Sequence, residues 1–205
     1  MDKFTTLRAI AAPYYHADVD TDELIPHRFL RKPLSAGYGN FLFYDKGHTA
    51  DDREDPGFVL NQAPYRAARV LVSGRNFGCG STREGAVYAL HDYGIHAVVA
   101  PGFADIFSGN CVQNGVLPVV LPEASVEDLC TQLQGNPGAE VTIDLSQQTL
   151  TMPDGKSCHF EIQSSKKVQL LEGLDDIDIT LKHHDDIARF ESAYRARLPW
   201  LAGAA

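Results

Sequence analysis

The chain has 205 residues, of which 44% are hydrophobic and 22% charged, the composition of a soluble globular protein and not of a disordered or fibrous one. Its formal net charge of -9 argues against a phosphate-backbone binder, which needs clustered Lys and Arg to displace counterions. No run of roughly 18 apolar residues is present to span a bilayer, and Met1-Asp2-Lys3-Phe4-Thr5 lacks the basic start and apolar core of a signal peptide, so a cytoplasmic protein is expected.

In chain order, the first third reads as irregular. Asp18 to Pro26 is acidic and turn-rich, and Pro26 argues against a helix running through it. From Arg31 to Pro64, Gly, Pro, Asp and aromatic residues follow without a clear period, which predicts a long loop with short helical turns. Ala68 to Val72 then reads as a short buried strand. Ser81 to Tyr93 carries helix signals, with Gly94 as the left-handed residue that ends it. Ala97 to Ala100 is a second buried strand, Asp105 to Asn110 a helical turn, and Val116 to Leu121 a third strand. Pro118 suits an edge or a bulge there. Strand, helix, strand in this order implies parallel pairing.

Further on, Ser125 to Asp128 has the S-x-x-D pattern of a helix start, with Val126, Leu129 and Leu133 as the apolar face. Val141, Ile143 and Leu145 alternate, as do Leu150 and Met152, and then Cys158, Phe160 and Ile162. Asp154-Gly155 between the last two runs predicts a hairpin. Ile187, Phe190, Tyr194 and Leu198 recur at helical spacing, with Glu191 and Arg195 one turn apart. The expectation is one α/β domain with a β-hairpin layer.

Cys79, Cys111, Cys130 and Cys158 lie far apart, with no C-x-x-C pair, and the eight histidines form no H-E-x-x-H. No metal held by this chain alone is expected, and the thiols are expected to be mostly buried and reduced.

The segment richest in chemistry is Gly74 to Glu84, which follows a buried strand and precedes a helix. Such a junction presents unpaired N–H groups and the positive end of a helix dipole, a seat for an anion. Arg83 suits a bidentate grip on a carboxylate. The spacing matches neither common nucleotide-binding glycine motif. Ser81-Thr82-Arg83-Glu84 is also an S-x-x-E capping box, in which Ser81 and Glu84 serve only backbone donors. Spacing alone does not decide between the two.

Asn76-Phe77-Gly78-Cys79-Gly80-Ser81-Thr82-Arg83-Glu84 closely resembles the N-F-G-C-G-S-S-R-E signature of the small subunits of 3-isopropylmalate dehydratase, in the aconitase superfamily. Val19 to Pro26 resembles that family's V-D-T-D-x-I-I-P. Phe103 to Phe107 with Asn110 and Asn114 resembles its F-A-D-I-F-x-x-N-x-x-N, and Gly173 to Leu181 its G-L-D-x-I-x-x-T-L. The resemblance covers nearly the whole chain in order.

It implies a three-layer β/β/α swivelling domain with a mixed, partly parallel sheet over residues 1–205, carrying a C-terminal helical extension. It also implies a separate large subunit, in a heterodimer or a dimer of heterodimers, that holds a [4Fe-4S] cluster; this chain would hold no cofactor. The substrate is then a small hydroxy-dicarboxylate, with no nucleic acid or membrane partner. By position, Ser81 corresponds to the catalytic base, Thr82 to a hydrogen-bond donor near the substrate, Arg83 to the carboxylate clamp, and Asp22 to a residue that orients the site, or else a turn-forming Asx residue.

Thr82 stands where the family has a second serine and keeps the hydroxyl, and three further places depart from the family pattern: Gly85 for a histidine, His27 for a lysine, and Lys166 to Glu172 for a stretch like R-R-H-C-L-L-N. They leave open a paralogue for a methylmalate, dimethylmalate or homoaconitate type of substrate. A non-catalytic binding module, for example for RNA, is disfavoured by the charge and by the intact Ser81-Thr82-Arg83.

Overall fold

The computed structural model describes residues 1–201. In its first half the elements are strand β1 (Thr6–Tyr14), helices α1 (Thr21–Leu24) and α2 (Tyr44–Gly47), strand β2 (Val70–Ser73), helix α3 (Gly85–Tyr93), strand β3 (Ala97–Ala100) and helix α4 (Asp105–Gln113). There follow strand β4 (Leu117–Val120), helix α5 (Glu123–Gly135), strands β5 (Glu140–Asp144), β6 (Thr149–Thr151) and β7 (Ser157–His159), and helices α6 (Ser164–Glu172), α7 (Asp176–Leu181) and α8 (His184–Arg197).

All strands join one seven-stranded sheet in the order β4-β3-β2-β1-β5-β6-β7. Strands β1 to β4 are parallel neighbours, with β2, β3 and β4 linked by α3 and α4 as the alternation of strand and helix signals predicts, and β5 to β7 are antiparallel. The expected α/β class and mixed sheet are therefore present. Pro118 lies in β4, which is an edge strand, where its missing N–H leaves no ladder bond unmade. The hairpin of β6 and β7 turns through Asp154 and Gly155, whose φ of +88° suits glycine.

Strand β1 corrects the expectation that the first third is irregular. Its first half, Thr6 to Ile10, pairs antiparallel with β5, and its second half, Ala11 to Tyr14, pairs parallel with β2. The segment holds Thr6, Ile10 and Tyr14, but Ala9, Ala11, Ala12 and Pro13 between them dilute the β signal. Pro13 is tolerated for a geometric reason. Ala11 donates its N–H to Ala139 O on the β5 side, and Pro13, two residues on, points the same way just past the end of that pairing.

Two cores cover the two faces of the parallel half. Leu71, Val98 and Ala100 face the first, with Ala86, Val87, Ala89 and Leu90 of α3 and Phe107 and Cys111 of α4. Val70, Val72, Ala97 and Val99 face the second, with Val126, Leu129 and Leu133 of α5 and with Val141, Ile143, Leu150 and Phe160 from the antiparallel half. Burial on both faces explains why β2 and β3 read as unbroken apolar runs. Fully burying a side chain such as Leu71 or Leu90 contributes roughly 1.5–3 kcal/mol.

Helix α5 starts at Glu123, two residues before the expected Ser125 cap. Pro122 takes the N-cap position, and its carbonyl accepts from Ser125 N and Val126 N at 2.8 and 3.1 Å. Helix α4 runs to Gln113, longer than the expected turn. Residues 31–64 form a loop with short helical turns, as expected, and a further turn precedes it at His27–Phe29. On α8, Glu191 and Arg195 pair at 3.2 Å, while Ile187, Phe190 and Tyr194 stay exposed.

Candidate active site

The parallel strands β1, β2 and β3 end at one edge of the sheet, and the loops leaving them are bonded to one another. Gly78 and Cys79 donate their N–H groups to Val19 O at 2.8 and 3.2 Å, and Thr21 N donates to Cys79 O at 2.9 Å. Phe77 N donates to Gly102 O, and Ala104 N donates to Phe77 O, both at 3.0 Å. The three sequence motifs, far apart in the chain, thus form one surface at the carboxyl ends of parallel strands, where open α/β sheets bind their ligands. The approach is close. A Cβ on Gly78, at φ +77°, would lie 2.1 Å from the Phe107 ring, and one on Gly80, at φ +91°, would lie 2.2 Å from Asp20 Oδ2.

Ser81 to Glu84 lie outside the helix, contrary to the sequence expectation. Helix α3 begins at Gly85 with Glu84 at its N-cap and no side-chain cap. The capping box is not formed because both of its side chains have other partners. Glu84 accepts from Tyr88 OH, and this bond, with burial, pushes the Tyr88 phenol up to about 12. Ser81 Oγ accepts from the Arg83 N–H at 3.2 Å and from Arg83 Nε–H at 2.5 Å.

The rest of the corner is built from the loop after β1. Arg83 Nη2 donates to Asp22 Oδ1, so Asp22 is the carboxylate that holds the guanidinium. The Asx role falls instead on Asp20, whose Oδ1 accepts from Asp22 N at 2.6 Å. Thr82 is exposed beside Ser81, and its carbonyl accepts from Asn110 Nδ2 at 3.2 Å. Ser81, Arg83 and Asp22 thus form one hydrogen-bonded chain with Thr82 at its rim. Sequence reasoning missed Thr21, whose Oγ1 accepts from Ser81 N at 3.0 Å. Its place in the T-D pair was the available signal.

Serine bases need donors that favour the ionised form. Here a guanidinium and an amide both point at Ser81 Oγ, and no histidine stands among its hydrogen-bond partners. Cys79 is a poor rival as nucleophile. Its half-buried thiol donates to Asp18 O at 3.3 Å, and burial, then Asp20 and Asp18, push its pKa up.

Of the four cysteines, Cys111 and Cys130 are buried, while Cys79 and Cys158 are partly exposed. Cys111 and Cys130 belong to the cores on opposite faces of the sheet, and burial pushes both thiols up, that of Cys130 to about 12. Among the described residues, no group of three or more His, Cys, Asp or Glu side chains is placed to hold a metal ion. The donor set of these residues does not suit a cluster. No helix among them is long and apolar enough to cross a membrane.

The departures from the family pattern at Gly85 and Lys166 to Glu172 meet specific neighbours, and nothing in the structure explains the one at His27. A Cβ on Gly85 would lie 2.6 Å from Leu30 Cδ2, so Leu30 fills the space that a larger residue at this position would need. Lys166 to Glu172 lie in α6, where Lys167 Nζ donates to Ser146 O at 2.7 Å and to Gln148 Oε1 at 2.9 Å, and Leu170 O accepts from Phe4 N at 2.9 Å. These contacts brace the β5–β6 connection and the N-terminus. His27 is exposed at the start of a short turn after Pro26.

The chain carries a Ser-Arg-Asp corner at the ends of the parallel strands of a mixed sheet, and the family model described as Aconitase C-terminal domain matches residues 1–124 of it. A second model, for the C-terminal domain of the 3-isopropylmalate dehydratase small subunit, matches residues 176–204. The 3-isopropylmalate dehydratase small subunit of Paramagnetospirillum magneticum is 48% identical over 98% of this chain and 100% of its own length. That of Neisseria meningitidis is 44% identical over 98% of this chain and 99% of its own. A crystal structure of 3-isopropylmalate dehydratase from Methanocaldococcus jannaschii covers 90% of this chain and 98% of its own, with 26% identity and a TM-score of 0.65. The chain belongs to the 3-isopropylmalate dehydratase small-subunit family.

Proposed function

We propose that this chain is the small subunit of a hydro-lyase that interconverts 2-isopropylmalate and 3-isopropylmalate through isopropylmaleate, a step of leucine biosynthesis. Residues 1–205 act as one swivelling domain that closes over a site on a large subunit, in a cytoplasmic heterodimer or dimer of heterodimers. The net charge of -9 suits a small-molecule enzyme better than an RNA-binding role. A [4Fe-4S] cluster on the large subunit would supply Lewis-acid chemistry at the substrate hydroxyl and carboxylate.

The observation that carries this reading is the pair of donors on Ser81 Oγ. They stabilise the alkoxide, which takes a proton from the carbon next to the hydroxyl-bearing one. The C–H electron pair forms the new double bond as the C–O bond breaks, the hydroxyl departs as hydroxide, and the proton taken up by Ser81 Oγ balances it as water, which restores the alkoxide. Rehydration reverses these steps with the hydroxyl on the neighbouring carbon. A guanidinium has five N–H donors, so Arg83 keeps a free edge for a substrate carboxylate while it serves Ser81 and Asp22. Thr82 donates from the rim, and Asp22 fixes the guanidinium plane.

The test uses the chain co-expressed with its large subunit and reconstituted anaerobically. Absorbance of the unsaturated intermediate is followed with isopropylmalate, methylmalate, dimethylmalate and homoaconitate. The highest kcat/KM is expected on isopropylmalate. Preference for another acid would make the chain a paralogue's subunit, and no turnover of any acid would overturn the enzyme reading.

In the same assay Arg83→Lys is expected to lower kcat/KM about 10- to 100-fold, since an ammonium lacks the planar fork that meets Ser81, Asp22 and a carboxylate together. Both a lower kcat and a higher KM are expected. A change confined to KM would remove Arg83 from the base and leave it as a clamp only.

A further inference from the structure

A base that abstracts a carbon-bound proton has to be held as well as activated, and the backbone of Ser81 is held from outside its own loop. Thr21 is 2% exposed, one of the few buried polar side chains of the molecule. Its Oγ1 accepts from Ser81 N at 3.0 Å, and its own N–H donates to Cys79 O at 2.9 Å. The two bonds straddle Gly80, which bends at φ +91° against Asp20. The Thr21 carbonyl is in turn fixed, accepting from Ile25 N at 3.0 Å where α1 ends. Thr21 therefore spans the turn from Cys79 to Ser81 from a buried position.

We propose that Thr21 is a positioning residue for the reaction: by accepting the Ser81 N–H it sets the Ser81 backbone so that Oγ meets both donors of Arg83. The inference rests on the reading of Ser81 as the base. Being buried, Thr21 acts through Ser81 and not on the substrate.

The test uses the reconstituted two-subunit enzyme with Thr21→Val, which keeps the shape of the side chain and removes the acceptor, alongside Thr21→Ser and Ser81→Ala. Thr21→Val is expected to lower kcat about 10- to 100-fold, the scale of a small misplacement of a reacting group, with KM little changed. Thr21→Ser is expected to restore most of the rate. With substrate deuterated at the abstracted position, the isotope effect on kcat is expected to grow in Thr21→Val, because proton abstraction becomes slower; a mere loss of folded enzyme leaves that ratio unchanged.

Wild-type kcat in Thr21→Val, or a slow Thr21→Val with an unchanged isotope effect, overturns the proposal. If Thr21→Val fails to assemble, Thr21→Ser and Thr21→Ala decide: a fast serine and a slow alanine variant with a larger isotope effect support it, and equal rates overturn it. Turnover in Ser81→Ala would instead bring down the reading of Ser81 itself. An inactive Ser81→Ala beside a fast Thr21→Val removes only the positioning role.

Discussion

Replacing Ser81 by alanine is expected to stop turnover while leaving the chain folded and able to join its large subunit. Ser81 Oγ meets only groups of Arg83, two residues on, and the Ser81 N–H that ties the loop to Thr21 remains in the alanine variant. The stability cost is therefore that of one partly exposed side-chain bond, about 1 kcal/mol or less. The catalytic cost is that of losing a positioned base, about 10²- to 10⁴-fold in kcat. Steady-state rates on complexes isolated by size exclusion check both parts. A kcat close to that of the unsubstituted enzyme in an intact complex would leave Ser81 with no role in proton transfer.

The second large effect is on folding. Gly78→Ala places a Cβ 2.1 Å from Cγ of Phe107, at a φ of +77°. Phe107 cannot simply turn away: it is 2% exposed and packs edge-on against Phe77 at 5.5 Å. The left-handed backbone costs roughly 1–2 kcal/mol for a residue with a Cβ, and overpacking a core adds typically 1–3 kcal/mol. A loss of about 2–5 kcal/mol is expected, a large share of the stability of an ordinary domain. Gly109→Ala, in α4 with nothing within 4 Å of the added Cβ, is the control and is expected to be neutral or stabilising. Urea melts of the two variants compare them directly, and equal midpoints would show that Phe107 yields without cost.

Much of the scaffold was legible because burial leaves a periodic trace. Strands β2 and β3 are buried on both faces and read as unbroken apolar runs, and α5 showed its face through Val126, Leu129 and Leu133. Strand β1 left no such trace. Its two halves have different partners in opposite directions, and its alanines and Pro13 dilute the β preference of Thr6, Ile10 and Tyr14. The start of α3 was misread for a related reason. Ser81-Thr82-Arg83-Glu84 contains a correct capping pattern, but Tyr88 takes Glu84 and Arg83 takes Ser81, and tertiary contacts override local preference.

By itself, then, the amino-acid sequence determined the α/β class and the hairpin, and through its resemblance to a family it named the residues proposed for the site, with Ser81, Thr82 and Arg83 adjacent in the chain and Asp22 in a separate motif. Only the tertiary structure decided what those residues do to one another. The register of β1 on β2, from Ala11 opposite Val70 to Tyr14 opposite Ser73, brings both strand ends to the same edge. The loops that follow then meet, and bonds form between residues 60 and 61 positions apart: Ser81 to Thr21, and Arg83 to Asp22. Hydrogen bonds act over about 3 Å, so partners that far apart in sequence are set by sheet register and by no local pattern.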